Sequence, residues 1–340
     1  MPHRRTLATT AAISALTLAI AAPVLAQDGL PILDVHLHAD APDAQGPPPL
    51  GMCVPIQEFP AWDPAVPYGS IFMGKMKDPP CDDPVWSPET DEGVVAGTLE
   101  VMERRNVFGV LSGSPDRVGR WMEAGPGRFM PALRFNVAGT DVSPDSLRAL
   151  VESGTVEVFG EITNQYAGIA PDDERMDPYW ALAEELDLPV AIHVGTGPPG
   201  VRYLGAEGYR AALHSALTLE PVLVKYPRLR VYVMHAGWPM LDDMLALMYA
   251  HPQVYVDVGV ISFTSPNFLE YLEGLVDAGF GKRIMFGSDQ MVGPGVIERA
   301  IDRIEGADFL SAEQKRDIFY NNAARFLRLS QEEIDRHHGR

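Results

Sequence analysis

Ile32-Leu33-Asp34-Val35-His36-Leu37-His38 is a short apolar run that ends in two imidazoles spaced two residues apart. Side chains two apart on a strand share a face, so this reading points Asp34, His36 and His38 the same way at the end of a first strand. Seven further β-branched runs follow, over 107–111, 129–135, 156–162, 189–194, 229–234, 254–258 and 283–286. Amphipathic stretches separate them, and helices are predicted over 93–105, 115–124, 143–152, 179–186, 209–224, 240–249, 267–278 and 297–304. Eight strands, each followed by a helix, fit an α/β fold of the (β/α)8 TIM-barrel type. The alternative is a doubly wound parallel sheet, but no GxGxxG follows the first strand to cradle a dinucleotide.

Placed on these strands, the polar residues fall at one end. His193 ends the fifth strand, His235 the sixth and Asp289 the eighth, joining His36 and His38 of the first. In a barrel those ends line the face where active sites gather. A lone histidine at a strand end is usually structural. Imidazoles and a carboxylate arriving together from four strands point instead to a site for Zn2+ or another first-row divalent ion.

This pattern resembles the amidohydrolase superfamily, and within it the amidohydrolase-related branch that includes aminocarboxymuconate-semialdehyde decarboxylase. Asp34-Val-His36-Leu-His38, Gly160-Glu161-Ile162, His235-Ala-Gly237, Gly287-Ser-Asp289 and Asn321-Asn322-Ala-Ala-Arg325-Phe-Leu327 carry the resemblance, which spans 31–328 apart from an insertion. It implies metal ligation by His36, His38, His193 and Asp289. It also implies a catalytic His235 that polarises the substrate or shuttles a proton. Superfamily members with two metals often use a carboxylated lysine at the end of strand four. None of the five lysines here (Lys75, Lys77, Lys225, Lys282, Lys315) lies there. Glu161 does, either bridging two ions or standing as a carboxylate behind the ligands, and a single Zn2+ is expected.

Other candidates are open between two roles. Arg134, at the end of strand three, either clamps a substrate carboxylate or forms a structural ion pair. Arg202 and Tyr203, after strand five, either line the pocket or belong to a surface loop. Trp238 either walls the site or packs beneath it. His214, His251, His337 and His338 are expected at the surface.

Residues 39–90 break the rhythm, with 12 of the chain's 30 prolines and scattered large apolar groups. A disordered linker would not carry so many, so an ordered lid at the mouth of the barrel is predicted. Its only cysteines, Cys53 and Cys81, are expected to form a disulfide, the alternative being two free thiols. Residues 1–26 run from Arg4-Arg5 through a weakly apolar stretch to Val24-Leu25-Ala26, the layout of a cleavable secretory signal of Sec or twin-arginine type. An uncleaved anchor is the alternative. Residues 27–340 are expected as one barrel domain, periplasmic or secreted.

The 340 residues carry 27 basic and 46 acidic side chains, a formal charge of −19 that becomes −21 without Arg4 and Arg5. Such a surface repels nucleic acid and anionic membranes. A small-molecule substrate is the partner expected, with homodimerisation left open. The leading expectation is hydrolysis of a lactone, ester or amide. Its rivals are non-oxidative decarboxylation of an unsaturated or aromatic acid, on the same residues, and a barrel without catalysis.

Overall fold

A computed structural model describes residues 29–139 and 141–340, so the leader expected over 1–26 lies outside the described residues. Among the described residues, eight parallel strands follow one another round a sheet in chain order. They are β1 (Ile32–His38), β2 (Val107–Gly113), β3 (Phe129–Phe135), β4 (Val158–Ile162), β5 (Val190–His193), β6 (Val231–Met234), β7 (Val254–Asp257) and β8 (Ile284–Met285). Val35 N donates to Phe286 O at 3.0 Å and Asp289 N to His36 O at 2.8 Å, which brings the end of β8 back to β1. The chain is a TIM barrel. Among the described residues no helix is long and apolar enough to cross a membrane.

Outside the barrel, helices α1 (Asp91–Arg104), α2 (Pro115–Ala124), α3 (Pro144–Glu152), α4 (Asp177–Glu185), α5 (Leu241–Ala250) and α6 (Gly295–Glu305) cover the strands. Local sequence sets their starts. Thr90 accepts from Gly93 N and Ser143 from Ser146 N, while Pro115 and Pro144 occupy first-turn positions whose amides need no partner. Between helices and barrel lies the main core, with Trp121, Trp180, Phe159 and Phe286 fully buried. A second apolar cluster fills the barrel interior, from Leu33 and Val35 to Tyr232, and Phe326 and Tyr320 of the C-terminal helices close it.

Three expectations are corrected. The helix predicted over 209–224 is broken into short turns at Ala211–His214 and Ala216–Leu219, followed by a helix over Glu220–Lys225 with Pro221 in its first turn. Extended Ser215 interrupts it. His337 is buried rather than on the surface: its ring stacks on Phe108 at 3.9 Å and bonds the Tyr320 hydroxyl at 3.0 Å. His214, His251 and His338 are also partly buried. The third correction concerns β1. Its pairing with β2 slips between Asp34 and Leu37, so Ile32 and Leu37 both face the outer core whereas Leu33 and Val35 face inward. This bulge turns His36 and His38 inward and leaves Asp34 behind them, against strict alternation.

Residues 39–90 are ordered as expected. The segment carries a two-stranded ribbon of Gly51–Met52 with Val85–Trp86, a helix over Tyr68–Lys77 and the Cys53–Cys81 disulfide. It leaves β1 and reaches the loop after β5, where Tyr68 Oη donates to Pro199 O at 2.7 Å and Trp62 packs on Tyr203 at 4.5 Å. Ile56 N also donates to Thr264 O, beyond β7, at 2.9 Å. Strands one and five of eight stand opposite each other, so the insertion crosses the barrel mouth.

Candidate metal centre

Bulges and unusual backbone angles gather the polar residues at that mouth. A slip in the pairing of β4 turns Glu161 inward, much as the bulge in β1 turns His36 and His38. The Ser112 hydroxyl holds it there, donating to Gly160 O at 3.0 Å and accepting from Glu161 N at 2.8 Å. His193 arrives by ordinary alternation. His235, Val260 and Asp289 have φ of 59°, 52° and 54°, a left-handed region that is unfavourable for all three and that re-aims the chain at the ends of β6, β7 and β8.

The side chains converge. Asp289 Oδ1 lies 2.8 Å from His38 Nε2 and 3.4 Å from His36 Nε2. Glu161 Oε1 accepts from His193 Nδ1 at 2.7 Å, and its Oε2 is 3.7 Å from His38 Nε2. His235 Nε2 stands 3.3 Å from His193 Nδ1. Three overlapping donor sets result, each with its atoms within 4.8 Å: His36, His38 and Glu161; His36, His235 and Asp289; Glu161, His193 and His235. Glu161 belongs to two of the three sets.

Electrostatics favour a cation here. Burial opposes charge on His36, but Asp289, Asp257 and Glu161 outweigh it and push its pKa up to about 10. Burial likewise acts against the carboxylates, yet His36 and His38 hold Asp289 well below the usual range, and His193 and His38 do so for Glu161. Burial and then His193 push His235 down to about 4, so it is neutral. Its Nδ1 hydrogen goes to Gly259 O at 2.9 Å, which leaves the lone pair on Nε2. Among the described residues, buried His36 Nε2 has no hydrogen-bond partner although it faces two carboxylates. An imidazole nitrogen in that state, beside ionised oxygens, fits a divalent metal.

The remaining candidates are placed unequally. Arg134 reaches the cluster, touching the His38 ring and donating to Asp40 Oδ1 at 2.7 Å, so the ion pair is formed. Tyr203, half exposed, packs between its loop and Trp62 and Tyr68 of the insertion. Arg202 is exposed and bonds the Glu207 carbonyl. Trp238 is half-buried, its backbone N donating to His235 O at 2.9 Å and its indole Nε1 without a partner among the described residues.

Sequence reasoning missed two neighbours. Asp257 at the end of β7 accepts from His36 Nδ1 at 3.1 Å, and its place at a strand end was a legible signal. Tyr166 follows β4 in a 3-10 turn, its ring 4.8 Å from that of His193, its pKa raised by burial and by Glu161 and Asp289. Its hydroxyl makes no hydrogen bond among the described residues. Nothing in the periodicity marks it.

A TIM barrel with imidazoles and carboxylates gathered at its C-terminal mouth belongs to the class of metal-dependent barrel enzymes. The sequence matches the amidohydrolase family over residues 33–329, and the chain belongs to that family. Its fold is similar to an uncharacterised TIM-barrel protein from Bordetella bronchiseptica (TM-score 0.63, 17% identity, covering 92% of this chain and 100% of that one). It is also similar to a probable 2-pyrone-4,6-dicarboxylic acid hydrolase from Acinetobacter baumannii (TM-score 0.54, 15% identity, 88% and 99% covered). A third is 5-carboxyvanillate decarboxylase from Novosphingobium aromaticivorans, complexed with manganese (TM-score 0.56, 14% identity, 89% and 97% covered). No curated protein matches the sequence.

Proposed function

We propose that the protein is an exported hydrolase that uses one divalent ion, zinc by its imidazole-rich donors, to cleave a lactone, ester or amide of a small molecule. His36, His38, His193 and Asp289 would hold the ion. When bound, it supplies Lewis acidity, easing ionisation of water and polarising a carbonyl. The observation that carries the reading is Asp289, an ionised carboxylate at 2.8 Å from one ligand imidazole and 3.4 Å from another. It takes the proton of the attacking water and returns it to the leaving group. His235 acts as an acceptor, because its Nδ1 hydrogen is spent on Gly259 O. It therefore orients that water or relays its proton and does not donate to the oxyanion. The Tyr166 hydroxyl is the donor available for the oxygen that gains charge. Arg134, Trp238, Arg202 and Tyr203 are proposed to contact substrate, and export rests on residues 1–26 alone.

Decarboxylation draws on the same residues and on the decarboxylase among the similar folds. Product analysis separates the two. Incubation with lactones, esters and amides is expected to release acid, and incubation with carboxylated aromatics to release no CO2. Release of CO2 with inert lactones, esters and amides would replace hydrolysis by decarboxylation.

A further inference from the structure

Asp257 is fully buried at the end of β7, and no role above uses it. Its Oδ2 accepts from His36 Nδ1 at 3.1 Å. Its Oδ1 accepts two backbone amides, those of His235 at 3.1 Å and Gly259 at 2.7 Å. The carbonyl of that same Gly259 holds the His235 ring. One carboxylate thus fixes the His36 ring directly and the His235 ring through the backbone.

The surroundings are shaped to this pair. A Cβ on Gly259 would stand 2.6 Å from His36 Nδ1 and 3.0 Å from Asp257 Oδ1. A Cβ on Gly287 would stand 2.9 Å from His36 Cβ and 3.1 Å from Asp257 Cγ. A larger residue at either glycine would crowd the imidazole or the carboxylate.

We infer that Asp257 is the positioning residue of the centre, fixing His36 with its hydrogen on Nδ1 and its lone pair on Nε2 for a metal ion, while setting the aim of His235. The inference rests on the metal-centre reading above. A histidine ligand gains orientation and basicity by donating its second N–H to a carboxylate, and loss of such a partner weakens metal binding roughly 10–100-fold.

A purely structural role, satisfying two buried amides, makes a different prediction. In Asp257→Asn the amide oxygen still accepts both backbone N–H groups. Its NH2 then faces His36 Nδ1 and favours the opposite tautomer, with hydrogen on Nε2, where a metal cannot bind. Wild type and D257N, stripped with a chelator, are titrated with Zn2+ against a competing chelator, and the visible spectrum of each is recorded with Co2+. The expected result is similar melting of the stripped proteins, affinity lower by about 10–100-fold in D257N, and altered Co2+ bands. Equal affinity with superimposable spectra overturns the proposal alone, whereas a wild type that binds neither ion overturns the metal-centre reading with it. Should D257N fail to fold, Gly259→Ala carries the same test by crowding His36 Nδ1. Weaker binding supports the proposal, and unchanged affinity and spectrum overturn it.

Discussion

Holding an ion and moving a proton place different demands on a side chain, and the proposed function divides the residues of this cluster along that line. His36 has its Nε2 unpartnered between two carboxylates, whereas His235 is neutral with its free lone pair toward His193. His36→Ala is therefore expected to lose both metal and turnover. His235→Ala should keep most of the metal and lose turnover. Asp289→Asn, whose amide cannot take a proton, should lower kcat by roughly 10²–10⁴-fold. Metal content by elemental analysis beside steady-state kinetics checks all three. About one equivalent of metal is expected in the wild type, and two would make Glu161 a bridge. Full metal in a His36→Ala, His193→Ala double variant, or none in His235→Ala, contradicts the division. These residues were legible because an imidazole is unusual at the end of an apolar run. Asp257 shares their place at a strand end, but an aspartate there is also ordinary turn chemistry, and only its partner singles it out.

Strands and outer helices follow from periodicity, and departures from it mark where the chain does something local. The β1 bulge is one such place, for no alternating pattern reveals an extra residue. The segment over 209–224 is another: Tyr209 turns inward so that its hydroxyl bonds Gly195 O at 3.0 Å and Gly197 N at 2.9 Å, and helix gives way to turns. The last helix, Gln331–His337, starts on a capping box at Ser330 and ends with His337 under the barrel floor. Burial and then Arg336 push His337 down to about 4, below the roughly 6.5 of an unfolded histidine. Between those values the unfolded chain takes up a proton that the folded chain refuses. This contribution is thus whole above about pH 6.5 and lost as pH falls towards 4. His337→Phe, which keeps a ring on Phe108, should flatten the dependence of stability on pH across that window. Urea unfolding at several pH values measures it, and an unchanged slope assigns the acid sensitivity elsewhere.

Across the whole molecule, the insertion over 39–90 contributes few residues to the barrel's core. Both its ends are tied by one side chain: Arg117 donates to Ala39 O at 2.7 Å and Asp40 O at 2.8 Å where the segment leaves β1, and pairs with Asp91 where it rejoins α1. Lys77 bonds the carbonyls of Pro47 and Pro49 within it. Its composition predicted order, but not which groups face the mouth. Trp62 packs on Tyr203 of the loop after β5, whereas Trp86 lies half exposed in the ribbon against Gly51. The Cys53–Cys81 bond closes a separation of 28 residues, and in the chain-entropy model such a loop restricts the open chain by roughly 3–4 kcal/mol. Little of that reaches the barrel, because the insertion adds to its main core only Ala39 and the flanking Met52, Val54 and Val85. It acts instead on the aromatic group of Trp62, Tyr68 and Tyr203, opposite the proposed metal ligands of β1. Cys53→Ser with Cys81→Ser is therefore expected to raise KM or lower kcat several-fold while metal content and the melting of the barrel change little. Steady-state kinetics and elemental analysis on the same preparation check it. Unaltered kinetics would leave the bond a local staple with no hold on the substrate. Metal loss in step with activity would mean that the insertion supports the ligands themselves, through the chain that runs from His38 into Ala39 and Asp40.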